Sequence, residues 1–245
     1  MSSLKEKSQT MIYSNAFVVG AESTALARGL ILPQKVDFSK VPHLLIVAPS
    51  GSGKTYLLTY ILKQLAQKPI RLLLADFKGV DFIEFDGCQG YYKHKAVADA
   101  LNFVFDEMQQ RMASPQPSYQ PIYFCVDEWA GFLALYSKKE QEDFKQKMSA
   151  ILMLGRGVGV FVIMALQRGD AAYITGRDNF GNCIGLGHLS KSSVLMLFVD
   201  DADRILPQPR GRGYLRIDGK PLAEIVVPRI TDIKAAKQII MQAIQ

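Results

Sequence analysis

Residues 43–67 read HLLIVAPSGSGKTYLLTYILKQLAQ, and the fold is decided here. The stretch opens on an apolar run, His43 to Val47, passes through APSGSGKT at Ala48 to Thr55, and continues in a helical pattern. Strand, glycine-rich turn, Gly-Lys-Thr and helix come in the order a phosphate-binding loop requires. Glycines let backbone N–H groups turn inward around phosphate oxygens, and the helix N-terminus adds the positive end of its dipole. The expected cradle is Ser50, Gly51, Ser52, Gly53, Lys54, Thr55 and Tyr56. Lys54 would reach the β- and γ-phosphates and Thr55 would hold Mg²⁺, so the cofactors implied are ATP and Mg²⁺. Ala48 stands where such loops usually begin with glycine, a small-for-small exchange.

Outward from this loop the pattern alternates. RLLLAD (71–76), PIYFCVDEW (121–129) and GVFVIMALQ (159–167) read as buried strands, and NCIGLG, GRGYLRI and AEIVVPRI as shorter ones. Residues 54–67, 95–112 and 139–154 read as helices, and DIKAAKQIIMQAI closes the chain as an amphipathic one. Apolar strands alternating with helices predict an α/β fold, a mostly parallel twisted sheet with helices on both faces. Residues 1–40 are expected to form an N-terminal extension whose apolar pieces, MIYSNAFVVG and LILPQKVDF, make short edge strands, with residues 41–245 as the main domain. ASPQPSYQP (113–121) carries three prolines and reads as a surface connector.

The chain has 245 residues and is 49% apolar, enough to bury a sizeable core. No apolar run reaches the ~18 residues of a membrane span. MSSLKEKSQT at the start is polar and lacks a secretory signal, so a cytoplasmic protein is expected. Cys88, Cys125 and Cys183, and His43, His94 and His188, are scattered without metal-ligand spacing and read as packing or surface residues. The net charge of +6 favours a polyanionic partner.

A phosphate loop needs an acid to orient the metal and a base for water. PIYFCVDEWA offers both at the end of an apolar strand: Asp127 for the Mg²⁺ shell, Glu128 to polarise water. Gln167 at the tip of the next strand is placed to sense the γ-phosphate or hold the water. Arg156, in LGRGVGV, is a candidate to reach a neighbouring subunit's γ-phosphate, with Arg177, Arg210 and Arg212 competing. In ADFKGVDF (75–82), Lys78-Gly79 reads as a turn and nothing more.

Taken in order, VPHLLIVAPSGSGKTYLLTYIL, LLLADFKGVDFIEF, IYFCVDEWA, LGRGVGVFVIMALQR and ITGRDNFGNCIGL resemble the FtsK/SpoIIIE group of the FtsK–HerA superfamily of DNA-pumping ATPases, over about residues 40–220. The resemblance implies a RecA-like P-loop core, ATP hydrolysis, a homo-oligomeric ring of hexameric type, and movement along double-stranded DNA. It assigns Lys54 and Thr55 to phosphate and metal, Asp127 and Glu128 to the second acidic motif, and Gln167 to the sensor. Where FtsK-type motors usually carry an arginine before a late strand, this chain has Asn182-Cys183, which shifts weight to Arg156 or Arg177. The family's membrane region and winged-helix tail are not expected, leaving a minimal motor for DNA transfer or segregation. Genome packaging and a non-translocating ATP-dependent assembly switch are the alternatives, and the partner would be a relaxase, a membrane protein or a capsid protein.

Such rings present the loops after the acidic and sensor strands to DNA. Here these are 130–139, with Lys138 and Lys139, and 168–181, with Arg168 and Arg177. For Lys138 and Lys139, beside Glu140 and Glu142, solvated charge is an equal reading.

Overall fold

The computed structural model describes residues 15–245, so the opening polar segment and the first part of MIYSNAFVVG lie outside the described residues. Ten strands form one sheet in the order β2-β1-β10-β9-β8-β3-β7-β6-β4-β5. Six of them run parallel: β3 (Leu44–Val47), β4 (Arg71–Asp76), β5 (Tyr91–Lys93), β6 (Ile122–Asp127), β7 (Val160–Leu166) and β8 (Asn182–Leu186). Every residue of β3, β6, β7 and β8 is buried. That is why these strands read as continuous apolar runs, since both faces of a parallel sheet are covered.

The covering layers follow from the helix patterns. One face packs against α3 (Val97–Ala113), α4 (Trp129–Leu133), α5 (Lys138–Leu154) and α6 (Lys191–Leu197). The other packs against α2 (Lys54–Ala66) and α7 (Ile233–Ile244), which also touch each other. Leu57, Leu58, Ile61, Leu62 and Leu65 of α2 are wholly buried, the i, i+3, i+4 stripe of a core-facing helix.

The sheet departs from a purely parallel one at its far end. β9 (Arg212–Ile217) pairs antiparallel with β8, and β10 (Ala223–Val226), β1 (Ala16–Glu22) and β2 (Pro33–Asp37) continue antiparallel beyond it. GRGYLRI and AEIVVPRI thus form a hairpin that extends the parallel core, and the strands drawn from MIYSNAFVVG and LILPQKVDF finish that end. The short α1 (Ser23–Ala27) links those two strands.

Strand order positions the site. β7 lies between β3, which leads into the phosphate loop, and β6, which ends in Asp127. Register aligns the tips: Val47 pairs with Leu166 and Asp127 with Ala165. The phosphate loop, Gln167 and the acidic pair therefore emerge side by side at the carboxyl ends of the parallel strands, where open α/β sheets bind ligands.

Candidate active site

Gly51 (φ 80°) and Gly53 (φ 104°) take left-handed backbones that side chains resist, which turns the loop back over the start of α2. Helix α2 starts on Gly53 with no side-chain cap, as α3 and α4 also start uncapped, while α5, α6 and α7 are capped by a serine or aspartate. Its first N–H groups are left for a phosphate to accept from. The loop is braced from behind. Gly211 N–H donates to Ser52 C=O at 3.0 Å, and Gly187 has no room for a side chain because a Cβ there would strike Ser52 Oγ.

A cavity of about 350 Å³ opens over the loop. Ser50, Gly51, Gly53, Lys54, Thr55 and Tyr56 line one side, Lys78, Val80 and Asp81 another, with Gln167 and Arg210 completing the rim. Tyr56 also accepts a hydrogen bond from Ile230 N–H on its hydroxyl, which ties the cavity to the segment before α7. A second cavity, of about 370 Å³, lies beyond Gln167 and is lined by Glu128, Arg168, Asp170 and Tyr173. Gln167 forms the wall common to both.

The charges at the centre are buried. Lys54 is 7% exposed and bonds Asp127 Oδ1, and its Nζ lies 3.1 Å from Glu128 Oε1. Lys78 Nζ lies 3.6 Å from the same oxygen. Burial works against the Lys54 ammonium, but the carboxylates of Asp127 and Glu128 outweigh it and raise its pKa. Burial pushes the Asp127 carboxyl up to about 6, although Lys54 pulls the other way.

One oxygen here remains open. Asp127 Oδ2 is buried with no hydrogen-bond partner, whereas Glu128 Oε1 is held by ion pairs with Lys54 and Lys78. Glu128 also holds a left-handed backbone (φ 62°), a conformation that costs of order 1–3 kcal/mol and concentrates at functional positions. The residues fit Mg²⁺. The ion is usually held by one or two carboxylates together with substrate phosphates, and the open Asp127 oxygen, with Thr55 on the cavity wall, would supply the protein's share. No group of three or more His, Cys, Asp or Glu gathers elsewhere among the described residues.

Other sequence candidates fall in different places. Arg156 lies at the amino edge of the sheet, in the turn before β7, where it donates to Ser39 C=O at 2.9 Å. Seven residues of β7 at ~3.3 Å each separate it from this subunit's phosphate loop by roughly 20 Å. Lys138 and Lys139 lie on no loop: they are the exposed first residues of α5, because α4 forms directly after Glu128 and Ser137 with Glu140 makes a capping box. Arg168 and Arg177 are exposed in the segment after β7, Arg177 Nε standing 3.7 Å from Asp178. Arg210 sits on the rim of its own subunit's cavity, and Arg212 is tied to Ser23 Oγ at 3.2 Å. Asn182 is buried, donating to the Val41 and His43 carbonyls at 2.8 Å each. Lys78, Val80 and Asp81 carried no signal as site residues, since only the three-dimensional path of 76–82 brings them to the cavity.

Comparison with known proteins gives the family and the fold. The family described as Helicase HerA, central domain, matches residues 26–153, which is 128 of the 245 residues. The chain belongs to that family. With it comes membership of the FtsK–HerA superfamily of ATPases, and with that nucleotide binding. The FtsK domain-containing protein YdcQ of Bacillus subtilis is 27% identical over 211 residues, 78% of this chain and 44% of that protein. A DNA translocase FtsK, from Pasteurella multocida, is 24% identical over 248 residues, 79% of this chain and 26% of that protein. The chain thus spans less than half the length of these curated relatives. The pCW3 conjugation coupling protein TcpA, solved with ATPγS, superposes with a TM-score of 0.74 at 20% identity, over 94% of this chain and 70% of that one, and shares its fold. The fold is that of RecA-like P-loop motor domains.

Proposed function

We propose that this chain is a double-stranded DNA translocase that couples ATP hydrolysis to movement of DNA in transfer or segregation. The observation that carries the reading is the buried cluster of Lys54, Asp127 and Glu128, with one Asp127 oxygen left open close to an uncapped helix start. A protein that only bound nucleotide would have no use for a strained, buried glutamate in that position. Lys54 would leave the carboxylates to meet the β- and γ-phosphates, and Asp127 and Thr55 are the residues that would hold Mg²⁺, which would neutralise charge that builds on the phosphates. Glu128 accepts the proton of the attacking water, and Gln167 orients that water from the wall between the two cavities.

DNA is the favoured cargo because of the chain's positive charge and because relatives bear the name DNA translocase. A motor that moves along any sequence grips phosphates. Arg168 and Arg177 follow the sensor strand, and Trp129 Nε1–H, next to Glu128, donates to Tyr173 C=O within the same segment at 2.9 Å. That bond offers a direct route from the hydrolytic glutamate to the DNA grip. A ring of like subunits, with an arginine acting between neighbours, is part of the proposal, with Arg156 and Arg177 as the candidates for that role.

The test is ATP hydrolysis with and without double-stranded DNA, together with displacement of a third strand from a DNA triplex. Hydrolysis stimulated by duplexes of unrelated sequence, with displacement of the third strand, is expected. Hydrolysis indifferent to DNA would transfer the motor to another cargo, and no hydrolysis at all would reduce the chain to a nucleotide-binding switch.

A further inference from the structure

The segment ADFKGVDF reads as a plain turn, yet it is bonded along its length. Asp76, wholly buried at the end of β4, accepts from Gly79 N–H at 3.1 Å and from Phe82 N–H at 3.2 Å. It also accepts from the Tyr91 hydroxyl at 3.1 Å. Phe77 N–H reaches the carbonyl of Asp127 at 3.3 Å, one residue before Glu128. Phe77 C=O meets the His94 ring at 3.1 Å. The Phe77 ring lies so close over Gly131 that a Cβ there would be 2.8 Å from it. Gly79 takes a left-handed backbone (φ 64°) with the His94 ring against its open face. Every neighbour of Lys78 is thus fixed, and the loop is bonded to the strand end that carries Glu128.

The result is that Glu128 faces two ammonium groups, Lys54 at 3.1 Å and Lys78 at 3.6 Å from one oxygen. Under the function proposed above, on which this inference rests, Lys54 turns to the phosphates when ATP enters. Glu128 is 7% exposed and would then keep Lys78 as its ammonium partner. A buried carboxylate that loses its partner swings or is expelled toward water. We infer that Lys78 is a positioning residue, which holds Glu128 toward the attacking water once Lys54 has moved to the nucleotide. Lys78 itself is 39% exposed and lines the nucleotide cavity, so it can follow Glu128 without a backbone change.

Lys78→Met, Lys78→Arg and, as a control for removal of a nearby charge, the exposed Lys95→Met test this. Steady-state hydrolysis gives kcat and KM, and a fluorescent ATP analogue gives Kd. Lys78→Met is expected to lower kcat by about tenfold to a hundredfold, the scale of a misplaced catalytic group, with KM and Kd close to wild type. Lys78→Arg should recover most of the loss, and Lys95→Met should match wild type. An unchanged kcat, a Kd that weakens in step with kcat, or an arginine variant as poor as methionine would overturn the assignment. A second measurement needs no turnover. In nucleotide-free protein, Lys78→Met should lower the melting temperature when Glu128 is present and leave it unmoved in a Glu128→Gln background. Equal shifts in both backgrounds would show that the two residues are not coupled. Absence of hydrolysis by the wild type would instead count against the proposed function and leave the melting comparison to decide Lys78.

Discussion

Two buried residues with left-handed backbones mark opposite ends of the central strands. His43 (φ 60°) leads into β3 at the amino edge, and Glu128 (φ 62°) follows β6 at the carboxyl edge. Both strain the chain, and both are at most 7% exposed. His43 uses every polar atom of its ring. Val162 N–H donates to Nδ1 at 3.0 Å, so Nε2 carries the proton and donates to Leu152 C=O at 3.0 Å. Its ring joins β3, β7 and the end of α5, and its own carbonyl accepts from Asn182. Glu128 has its Oε1 held by ion pairs with Lys54 and Lys78, and beside it Asp127 Oδ2 has no partner. The fold thus satisfies the polar atoms at one end and leaves one oxygen open at the other. A satisfied buried polar group stabilises architecture; an unsatisfied one, held in place, is available to a ligand.

If this contrast holds, the largest effect comes from Lys54→Ala. Hydrolysis should fall to background, and two buried carboxylates should be left with Lys78 alone, at a cost of about 3–5 kcal/mol in urea unfolding. Adding Asp127→Asn should recover most of that stability and none of the activity. A single variant as stable as the wild type would mean the carboxyl edge stores no uncompensated charge.

His43→Ala should behave in the opposite sense. It strands Val162 N–H and Leu152 C=O, each worth about 1–3 kcal/mol when buried without a partner, while kcat stays near wild type. Loss of activity without loss of stability would break the comparison.

The contrast sharpens with pH. Burial holds the His43 pKa down to about 4. The unfolded chain therefore takes up its proton first as pH falls from about 6.5, and the stabilisation present above that pH is lost down to about 4. The loss between pH 7 and 5 is about 2 kcal/mol. Asp127, with its carboxyl raised to about 6, works in the reverse direction and stabilises as pH falls through that value. The quantity to measure is thus the difference in urea unfolding between wild type and His43→Leu at the two pH values. No difference in slope would refute the assignment.

Much of this was legible in the sequence. The phosphate loop, the acid pair and Gln167 each sit at the end of an apolar run, and strand order then brings those ends together. β4 coincides with RLLLAD, and α5 with the helix at 139–154 within one residue. Other parts depend on residues distant in sequence. α4 is legible only through Trp129 and Phe132, which bury against the sheet and the segment after β7. Lys78 acquires a position through bonds from Asp76 and Phe77 to Tyr91, His94 and Asp127. Arg156 stands in the turn before β7, at the edge away from its own subunit's nucleotide cavity, a position no local pattern reveals.

The smallest effect is expected at Arg168, the part of the DNA grip with no candidate role between subunits. Removing its charge should weaken binding alike for unrelated duplexes. It should make the salt dependence shallower by about one unit of slope for each phosphate no longer neutralised. Unchanged affinity and slope would remove Arg168 from the DNA surface.

The most direct measurement is Glu128→Gln, with ATP affinity and single-turnover hydrolysis read in parallel. The amide keeps the shape of the side chain and cannot take a proton. The account predicts ATP affinity close to wild type, a folded protein, and hydrolysis slower by about 10²–10⁴-fold. Hydrolysis at the wild-type rate would contradict it, because the strained glutamate would then have no part in the chemistry.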